Sequence, residues 1–199
     1  MPVLEFFYDF ASPYSYLAST RVEAQARRAG GEVRFRPFLL GAVFKATGNH
    51  PPLETPAKLR HAWVDLQRWA RRLSVPLAPP PGFPVPSLLA LRAALEAERL
   101  GKLVPYTHAV YRACWAEGKD LADPQVLAAA ASAAGLDGAA VVAAAPRYKE
   151  ALARQTQEAV ERGAFGAPTF FVATAGGEEM FVGNDRLDFA CEALAGGGA

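Results

Sequence analysis

The sequence contains little cysteine and little histidine. Its 199 residues include two cysteines, Cys114 and Cys191, which lie far apart and form neither a Cys-x-x-Cys motif nor metal-ligand spacing. We therefore expect two free, partly buried thiols in a reducing cytoplasm, with a disulfide between them as the remaining alternative. The three histidines, His50, His61 and His108, form no ligand spacing with one another or with an acidic cluster, which argues against a metal site.

The chain also lacks a charge excess and a long apolar run. Its 21 basic and 20 acidic residues give a net charge of +1, so electrostatics favour neither nucleic acid nor a membrane as a partner. Glu5 and Asp9 interrupt the apolar N-terminus, and we find no signal peptide and no membrane-spanning stretch. We expect a soluble, cytoplasmic protein. Its 51% hydrophobic residues can bury a core as one fold with an insertion or as two small domains.

The N-terminal residues predict a strand, a helix and a second strand. Residues 3–10 are short, apolar and aromatic, which is typical of a buried strand. Ser12 followed by Pro13 is a helix start, because the hydroxyl caps free N–H groups and proline is tolerated at the first helical position. Residues 14–29 are predicted to continue as one helix, and residues 33–38 alternate like a second strand.

The C-terminal residues predict a hairpin and a final helix. Residues 168–172 and 180–182 are apolar strands separated by a glycine turn at 176–177. Residues 183–187 contain turn and capping residues, and the helix after them is expected to end at about Ala195.

The long central segment is expected to be helical. Residues 56–73 place apolar side chains at three- and four-residue steps, which predicts a helix with one buried face. The proline-rich residues 75–84 must form a loop, because proline cannot continue either regular structure. Further helices are predicted at about 87–100, 104–117, 124–134, 138–144 and 147–162.

The helix start at Ser12 carries the most informative pattern. Ser12 and Ser15 have the spacing of a thioredoxin-type Cys-x-x-Cys site in which both sulfurs are replaced, and residues 167–169, Ala-Pro-Thr, resemble the proline loop that faces such a site. In those proteins the helix terminus stabilises a thiolate. Serine cannot form a disulfide, so any thiol chemistry here requires an external thiol, for which glutathione is the obvious candidate. The alternative is that Ser12 is a helix cap and nothing more.

Several segments together resemble one family. Residues 7–18, Phe-Tyr-Asp-Phe-Ala-Ser-Pro-Tyr-Ser-Tyr-Leu-Ala, are similar to the opening of 2-hydroxychromene-2-carboxylate isomerases and kappa-class glutathione transferases. The resemblance covers nearly the whole chain in order. It is also carried by residues 47–49, Lys58 and residues 64–70, 165–169 and 183–187.

The resemblance implies an α/β fold of the thioredoxin-like, DsbA type with an inserted all-helical domain. Residues 1–38 and 163–199 would form the discontinuous thioredoxin-like domain. Residues 39–162 would form the helical insertion.

The resemblance also implies a glutathione site. Ser12 matches the catalytic serine whose hydroxyl donates to the glutathione sulfur and thereby favours the thiolate. Ala167 matches the residue whose backbone pairs with the cysteinyl part of glutathione like an added strand. Pro168 would then follow a cis peptide bond. The implied glutathione-binding residues are Ser12, Pro13, Tyr14, Asn49, Lys58, Ala167, Pro168, Asn184 and Asp185.

Three of these residues, Asn49, Asn184 and Asp185, match positions that hold the polar ends of the tripeptide. Asp185 would accept the γ-glutamyl amine, and Lys58 would meet a carboxylate. Asn49 and Asn184 are the only two asparagines in the chain. The competing interpretations are a helix cap for residues 184–185 and an exposed surface lysine for Lys58.

The implied activity is glutathione-dependent isomerisation of 2-hydroxychromene-2-carboxylate to trans-o-hydroxybenzylidenepyruvate in aromatic catabolism. A thiolate would add to the conjugated system, the new single bond would rotate, and elimination would free the thiol. Tyr14, Tyr16 and Phe83 line an aromatic substrate pocket in this interpretation, and helix packing explains them equally well.

The alternatives are a kappa-type glutathione transferase or peroxidase that acts on other electrophiles, and a non-catalytic thioredoxin-like binding module. Family members often carry asparagine or basic residues where this chain has Pro86 and Ser87, so the native substrate stays open. A homodimer is compatible with the resemblance.

Overall fold

The computed structural model describes residues 1–50 and 55–196. Its centre is a four-stranded sheet in the order β2-β1-β3-β4. Strands β1 and β2 are parallel, whereas β1 with β3 and β3 with β4 are antiparallel. The two ends of the chain therefore meet in one sheet, as predicted. The strands are β1 (Val3–Tyr8), β2 (Glu32–Pro37), β3 (Thr169–Thr174) and β4 (Gly177–Val182).

Strand β1 is apolar except at Glu5, because both faces of the sheet are covered. Phe6 is stacked on Phe170 with ring centroids 5.4 Å apart and belongs to the main hydrophobic core. Phe7 points to the other face, where its ring meets Phe38 and Phe171 in a second, smaller cluster. A strand buried on both faces has a nearly continuous apolar sequence and no alternation, and residues 3–8 show this pattern with Glu5 as the one exception.

Helices surround the sheet and fill the segment between β2 and β3. A π-helical turn, Arg112–Ala116, follows α6, and short 3-10 turns lie at Ala145–Tyr148 and Asn184–Arg186. No helix in the described part of the chain is long and apolar enough to cross a membrane. The helices are α1 (Pro13–Ser19), α2 (Val22–Arg28), α3 (Leu40–Thr47), α4 (Pro56–Leu73), α5 (Leu88–Arg99), α6 (Leu103–Tyr111), α7 (Pro124–Ala133), α8 (Gly138–Ala144), α9 (Lys149–Glu161) and α10 (Leu187–Gly196).

The prediction of one helix over residues 14–29 is wrong, because the structure has two helices with a break at Thr20 and Arg21. The Thr20 hydroxyl donates to the carbonyl oxygen of Leu17 at 2.8 Å, a local bond that competes with helix continuation. Arg21 leaves the helical region at φ −134°. Its side chain then reaches the backbone of Asn184, so a distant contact accompanies the break.

The predicted helix at about 104–117 is also divided. Its last turn is the π-helical segment, which carries the buried Trp115. The indole N–H of Trp115 donates to the carbonyl oxygen of Phe10 at 2.8 Å, just before the candidate site. The other predicted helices end within about two residues of their predicted limits.

The main hydrophobic core contains side chains of the sheet and of the helices between β2 and β3. Helix α9 packs on both β2 and α3. The division into residues 1–38 plus 163–199 and residues 39–162 therefore stays a prediction.

Candidate active site

Ser12 lies where β1 leads into α1 and is nearly buried, with 4% of its surface exposed. Its backbone is extended at φ −95°, and its Oγ accepts the N–H of Ser15 at 3.1 Å, so it is the predicted N-cap, with Pro13 at the start of the helix. The same hydroxyl donates to the carbonyl oxygen of Ala167 at 2.9 Å. Ser12 is therefore a cap and also a contact to the opposite loop.

The loop before β3 faces Ser12. The peptide bond between Ala167 and Pro168 is cis, which confirms the prediction for Pro168. The Pro168 carbonyl accepts the N–H of Gly183 at 2.9 Å, and the Thr169 hydroxyl donates to the Gly166 carbonyl at 2.8 Å. These bonds fix the loop from both sides, so the carbonyl of Ala167 points at Ser12.

A cavity of about 300 Å³, hereafter the active-site cavity, lies between this loop, α1, α3 and α4. Ser12, Pro13, Tyr14 and Ala167 line it on one side. An aromatic wall formed by Phe44, Trp63 and Phe83 lines it on the other. The cavity is thus mostly apolar with a small number of polar groups, as small-molecule sites usually are.

The aromatic residues divide between cavity and core. Tyr14 and Phe83 line the active-site cavity, as predicted. Tyr16 does not, because it is buried and its hydroxyl donates to the Pro76 carbonyl at 2.7 Å. The buried face predicted for the helix over residues 56–73 includes Trp63, whereas the sequence analysis made no prediction for Phe44. The periodicity of α4 correctly gave Trp63 an inward direction, but periodicity does not distinguish a packed core from a cavity wall.

Asn49 is brought to the active-site cavity and Lys58 is not. Asn49 lines the cavity, and its Nδ2 donates to the carbonyl oxygen of Phe165 at 2.8 Å, which ties the end of α3 to the proline loop. Lys58 is exposed on α4 and lines an adjoining open pocket with Tyr14 and His61. The side chain of Lys58 is therefore at the rim and away from Ser12.

Asn184 and Asp185 lie beside α1, outside the lining of the active-site cavity. Asn184 is 1% exposed, and its Nδ2 has no hydrogen-bond partner in the described part of the chain. Arg21 donates to the Asn184 carbonyl at 2.6 Å and to its Oδ1 at 3.3 Å. The Asp185 side chain is half exposed, with Arg186 3.4 Å away.

The hydroxyl of Tyr14 interacts with the charges of Asp65 and Asp185. This hydroxyl donates to Asp65 at 2.9 Å. Burial raises the pKa of Tyr14 well above its usual value, with further contributions from the hydrogen bond and charge of Asp65 and from the charge of Asp185. Tyr14 therefore stays neutral and serves as a hydrogen-bond donor next to the active-site cavity.

Asp9 is a buried carboxyl that sequence reasoning noted only as an interruption of an apolar run. Its Oδ1 accepts the N–H of Ala11 at 2.8 Å and its Oδ2 accepts the N–H of Leu40 at 2.7 Å. Burial raises its pKa. Asp9 thus links two segments: the turn that contains Ser12, and Leu40, the first residue of α3. The sequence feature that could have indicated this role is the position of an acidic residue directly after an apolar strand.

The chain brings no thiol to the active-site cavity. Cys114 and Cys191 are free, as predicted, and neither lines it. Burial raises the pKa of Cys114 to about 12 and that of Cys191 to about 11, so both stay protonated. Within residues 1–50 and 55–196, no three His, Cys, Asp or Glu side chains are grouped so that they could hold a metal ion.

Comparisons with known proteins agree with this geometry. Residues 3–195 match the model of the DSBA-like thioredoxin domain. A 2-hydroxychromene-2-carboxylate isomerase of Sphingobium xenophagum is 34% identical over 190 residues, 94% of either chain. Glutathione S-transferase kappa 1 of Homo sapiens is 29% identical over 203 residues, 96% of this chain and 90% of the relative.

A solved structure of a 2-hydroxychromene-2-carboxylate isomerase superimposes with a TM-score of 0.86 and 31% identity, covering 96% of this chain and 94% of the other. The similarity therefore spans the sheet, the helical segment and the loops around Ser12. The chain belongs to the DSBA-like thioredoxin domain family and, within it, to the family of the 2-hydroxychromene-2-carboxylate isomerases.

Proposed function

We propose that this chain is a cytoplasmic, glutathione-dependent isomerase that converts 2-hydroxychromene-2-carboxylate to trans-o-hydroxybenzylidenepyruvate. The observation that carries the proposal is the Ser12 hydroxyl, which sits at a helix N-terminus, donates to the carbonyl oxygen of Ala167 and lines an aromatic cavity that has no thiol of its own. The family of the isomerase relatives supplies the reaction.

The residues present fit glutathione. The tripeptide has a thiol in the middle and charged groups at both ends, so it needs one central and several peripheral polar partners. Ser12 is the central hydroxyl. Asn184 provides a buried amide nitrogen without a hydrogen-bond partner in residues 1–50 and 55–196. Leaving such a group unpaired is destabilising, and it is suited to a ligand oxygen. Asp185 is half exposed beside it and supplies the negative charge that an ammonium group needs.

Bound glutathione would supply the sulfur nucleophile for reversible addition to a conjugated double bond. Ser12 would stabilise the anionic sulfur by donating its hydroxyl hydrogen, which Ala167 accepts in the free structure. A hydrogen bond to a charged group is worth roughly 1.5 to 3 kcal/mol. The positive end of α1 acts in the same direction.

The aromatic wall would bind the ring of the substrate. Phe83 packs against Trp63, with ring centroids 6.4 Å apart, and against Trp115 at 6.3 Å, so the wall is held from behind. Such a wall excludes water and keeps the substrate near the sulfur. The segment with Pro86 and Ser87 carries no charge. We therefore propose that the carboxylate of the substrate is directed to the rim, where Lys58 and His61 line the adjoining pocket.

A second candidate function is a kappa-type transferase, because a kappa-class relative matches the same length of chain. In that case the same site would activate glutathione for attack on an electrophile, and the adduct would leave. Conjugation of 1-chloro-2,4-dinitrobenzene measures this activity directly.

The test is conversion of 2-hydroxychromene-2-carboxylate, followed by absorbance with and without glutathione. We expect isomerisation that depends on glutathione and exceeds conjugation of 1-chloro-2,4-dinitrobenzene. Ser12→Ala should lose it, whereas Ser19→Ala, a buried serine at the other end of α1, should retain it. Isomerisation that is equally fast without glutathione, or no isomerisation by the folded protein, would contradict the proposal.

A further inference from the structure

A second concave surface lies behind α3. Helices α3, α5 and α9 enclose a groove of about 380 Å³, hereafter the rear groove. Its lining is largely aliphatic, with Ala42 from α3, Leu88 from α5 and Leu152 from α9. Two cations, Arg92 and Lys149, also line it, and none of its described lining residues is acidic. The rear groove therefore combines an apolar surface with uncompensated positive charge.

Arg92 differs from the other arginines in a similar environment. Four arginines are half-buried in the described part of the chain. Arg21 pairs with Asp188, Arg36 with Glu5, and Arg162 with Glu5, Glu158 and Glu178. Arg92 forms no ion pair with any residue in 1–50 or 55–196, so its charge has no counterion in that part of the chain.

The Nε atom of Arg92 is buried and also lacks a hydrogen-bond acceptor among the residues that the structure describes. A buried donor that is left unpaired is destabilising, and buried cations in proteins are normally matched by an anion. Lys149 does not relieve the imbalance, because it adds a second positive charge, at the first residue of α9, where the helix dipole also disfavours a cation.

We propose that the rear groove binds a small amphipathic carboxylate. Arg92 and Lys149 bind the anionic head, and the aliphatic body lies on Ala42, Leu88 and Leu152. Charge complementarity selects an anion, and the largely aliphatic lining favours a ligand with one charged end over a polyanion such as a nucleotide. Carboxylate is the matching head group because a guanidinium can bind it in a bidentate manner.

The rear groove is separate from the active-site cavity, although one helix serves both. Residues at i and i+4 share a helix face, so Leu40 and Phe44 face the active-site cavity together. Ala42 and Ala46 point to the roughly opposite face and line the rear groove. A ligand in the rear groove would therefore contact the helix that carries part of the aromatic wall, without touching Ser12. The proposal does not depend on the proposed isomerase activity.

The experiment is an NMR titration of the isotope-labelled full chain with octanoate, and with octylammonium as the probe of opposite charge. We expect octanoate to shift backbone amides of α3, α5 and α9 around Ala42, Leu88 and Leu152, and octylammonium to leave them in place. Arg92→Gln should weaken octanoate binding about tenfold or more, and Lys149→Gln should weaken it several-fold. The matched control is Arg154→Gln, which removes one exposed positive charge from α9 outside the rear groove.

Each of three results would overturn the proposal. The first is the absence of octanoate shifts in the groove at millimolar concentration. The second is equal binding of octylammonium, which would show that the apolar surface alone is responsible. The third is an equal loss of binding in Arg154→Gln, which would show a general effect of charge. If Arg92→Gln folds poorly, Arg92→Lys takes its place in the test. This variant keeps the charge without the planar donors, so it should bind octanoate with intermediate affinity.

Discussion

The Ser12 hydroxyl donates to the carbonyl oxygen of Ala167 at 2.9 Å, and 155 residues separate the two in sequence. The same oxygen accepts the N–H of Ser15, so one hydroxyl both begins α1 and holds the proline loop. The Ser12 hydroxyl has one hydrogen to donate, and it can redirect this hydrogen bond from the Ala167 carbonyl to an anionic sulfur without movement of the helix. Preorganised donors of this kind are the ones that contribute most to catalysis.

Ser12→Ala is expected to lower kcat for glutathione-dependent isomerisation about 10- to 1000-fold, which corresponds to roughly 1.5 to 4 kcal/mol for one lost donor to an anion. The lost cap should also reduce the free energy of unfolding by about 1 kcal/mol. Asp137→Ala is the matched control, because Asp137 caps α8 at Ala140 far from the site in sequence. It should reduce stability to a similar extent and leave kcat unchanged. Equal kcat values for Ser12→Ala and the unmodified chain at saturating glutathione would remove Ser12 from the catalytic role.

Arg21→Met is expected to raise the KM for glutathione about tenfold, on the order of 1.4 kcal/mol, with a smaller effect on kcat. Arg21 is bonded to the Asn184 carbonyl and Oδ1 and is paired with Asp188, and its guanidinium lies over Trp69 at 5.3 Å. It therefore orients the Asn184 amide, whose Nδ2 is the atom that we propose binds glutathione.

Two further variants separate this positioning effect from a general loss of structure. Arg21→Lys should give an intermediate KM, because one ammonium group cannot reproduce the planar donor pattern of a guanidinium. Arg28→Met, an exposed arginine in the last turn of α2, should leave the KM unchanged. An unaltered KM in Arg21→Met, measured on folded protein, would show that Arg21 serves stability alone.

Local sequence patterns were sufficient to predict those parts of the fold that depend only on neighbouring residues. The Ser12 cap, strand β1 and the single buried face of α4 all follow from residue types within a few positions of one another. The position of Pro168 opposite Ser12 required the family resemblance as well, since nothing local specifies a contact over 155 residues.

Nonlocal contacts explain what the sequence did not reveal. The break between α1 and α2 coincides with the contact from Arg21 to Asn184, which lies 163 residues away. The exposed rim position of Lys58 depends on where α4 packs, and this is a property of the whole fold. The carboxyl of Asp9 bonds to the first residue of α3, a relation that only the folded chain shows.

Stability should fall in acid partly through Glu96. The hydrogen bond from Arg99 holds its pKa at about 2, below the usual 4.5, with Tyr148 also donating to it. Because the folded pKa is depressed, this contribution is complete above about pH 4.5 and is lost as the pH falls towards 2. Glu96→Gln should therefore flatten the pH dependence of the free energy of unfolding between pH 5 and pH 3, by on the order of 1 kcal/mol.

Urea unfolding at several pH values measures this difference. Glu150→Gln, an acidic residue exposed in the first turn of α9, is the control and should keep the pH dependence of the unmodified chain. Parallel curves for Glu96→Gln and the unmodified chain would show that Glu96 makes no net contribution. High salt should reduce the effect, because Arg99 is largely exposed.

The last prediction concerns the two serines at the start of α1. Ser12→Cys together with Ser15→Cys should create dithiol oxidase activity that neither single change shows. Ser12→Cys alone lacks a resolving sulfur, so a mixed disulfide on it can be released only by an external thiol. The thiol introduced at position 12 should still have a lowered pKa, because it lies at a helix N-terminus.

The control is Ser12→Cys together with Ser19→Cys, which places the second sulfur seven residues along the same helix. The rise of about 1.5 Å per residue then separates the two positions by roughly 10 Å, which is beyond disulfide distance. Thiol titration and mass spectrometry after mild oxidation should detect an intramolecular disulfide in the first double variant and none in the second. If the first double variant keeps two free thiols, Ser12 and Ser15 do not occupy Cys-x-x-Cys geometry, and the interpretation of this helix start as a former dithiol site would have to be abandoned.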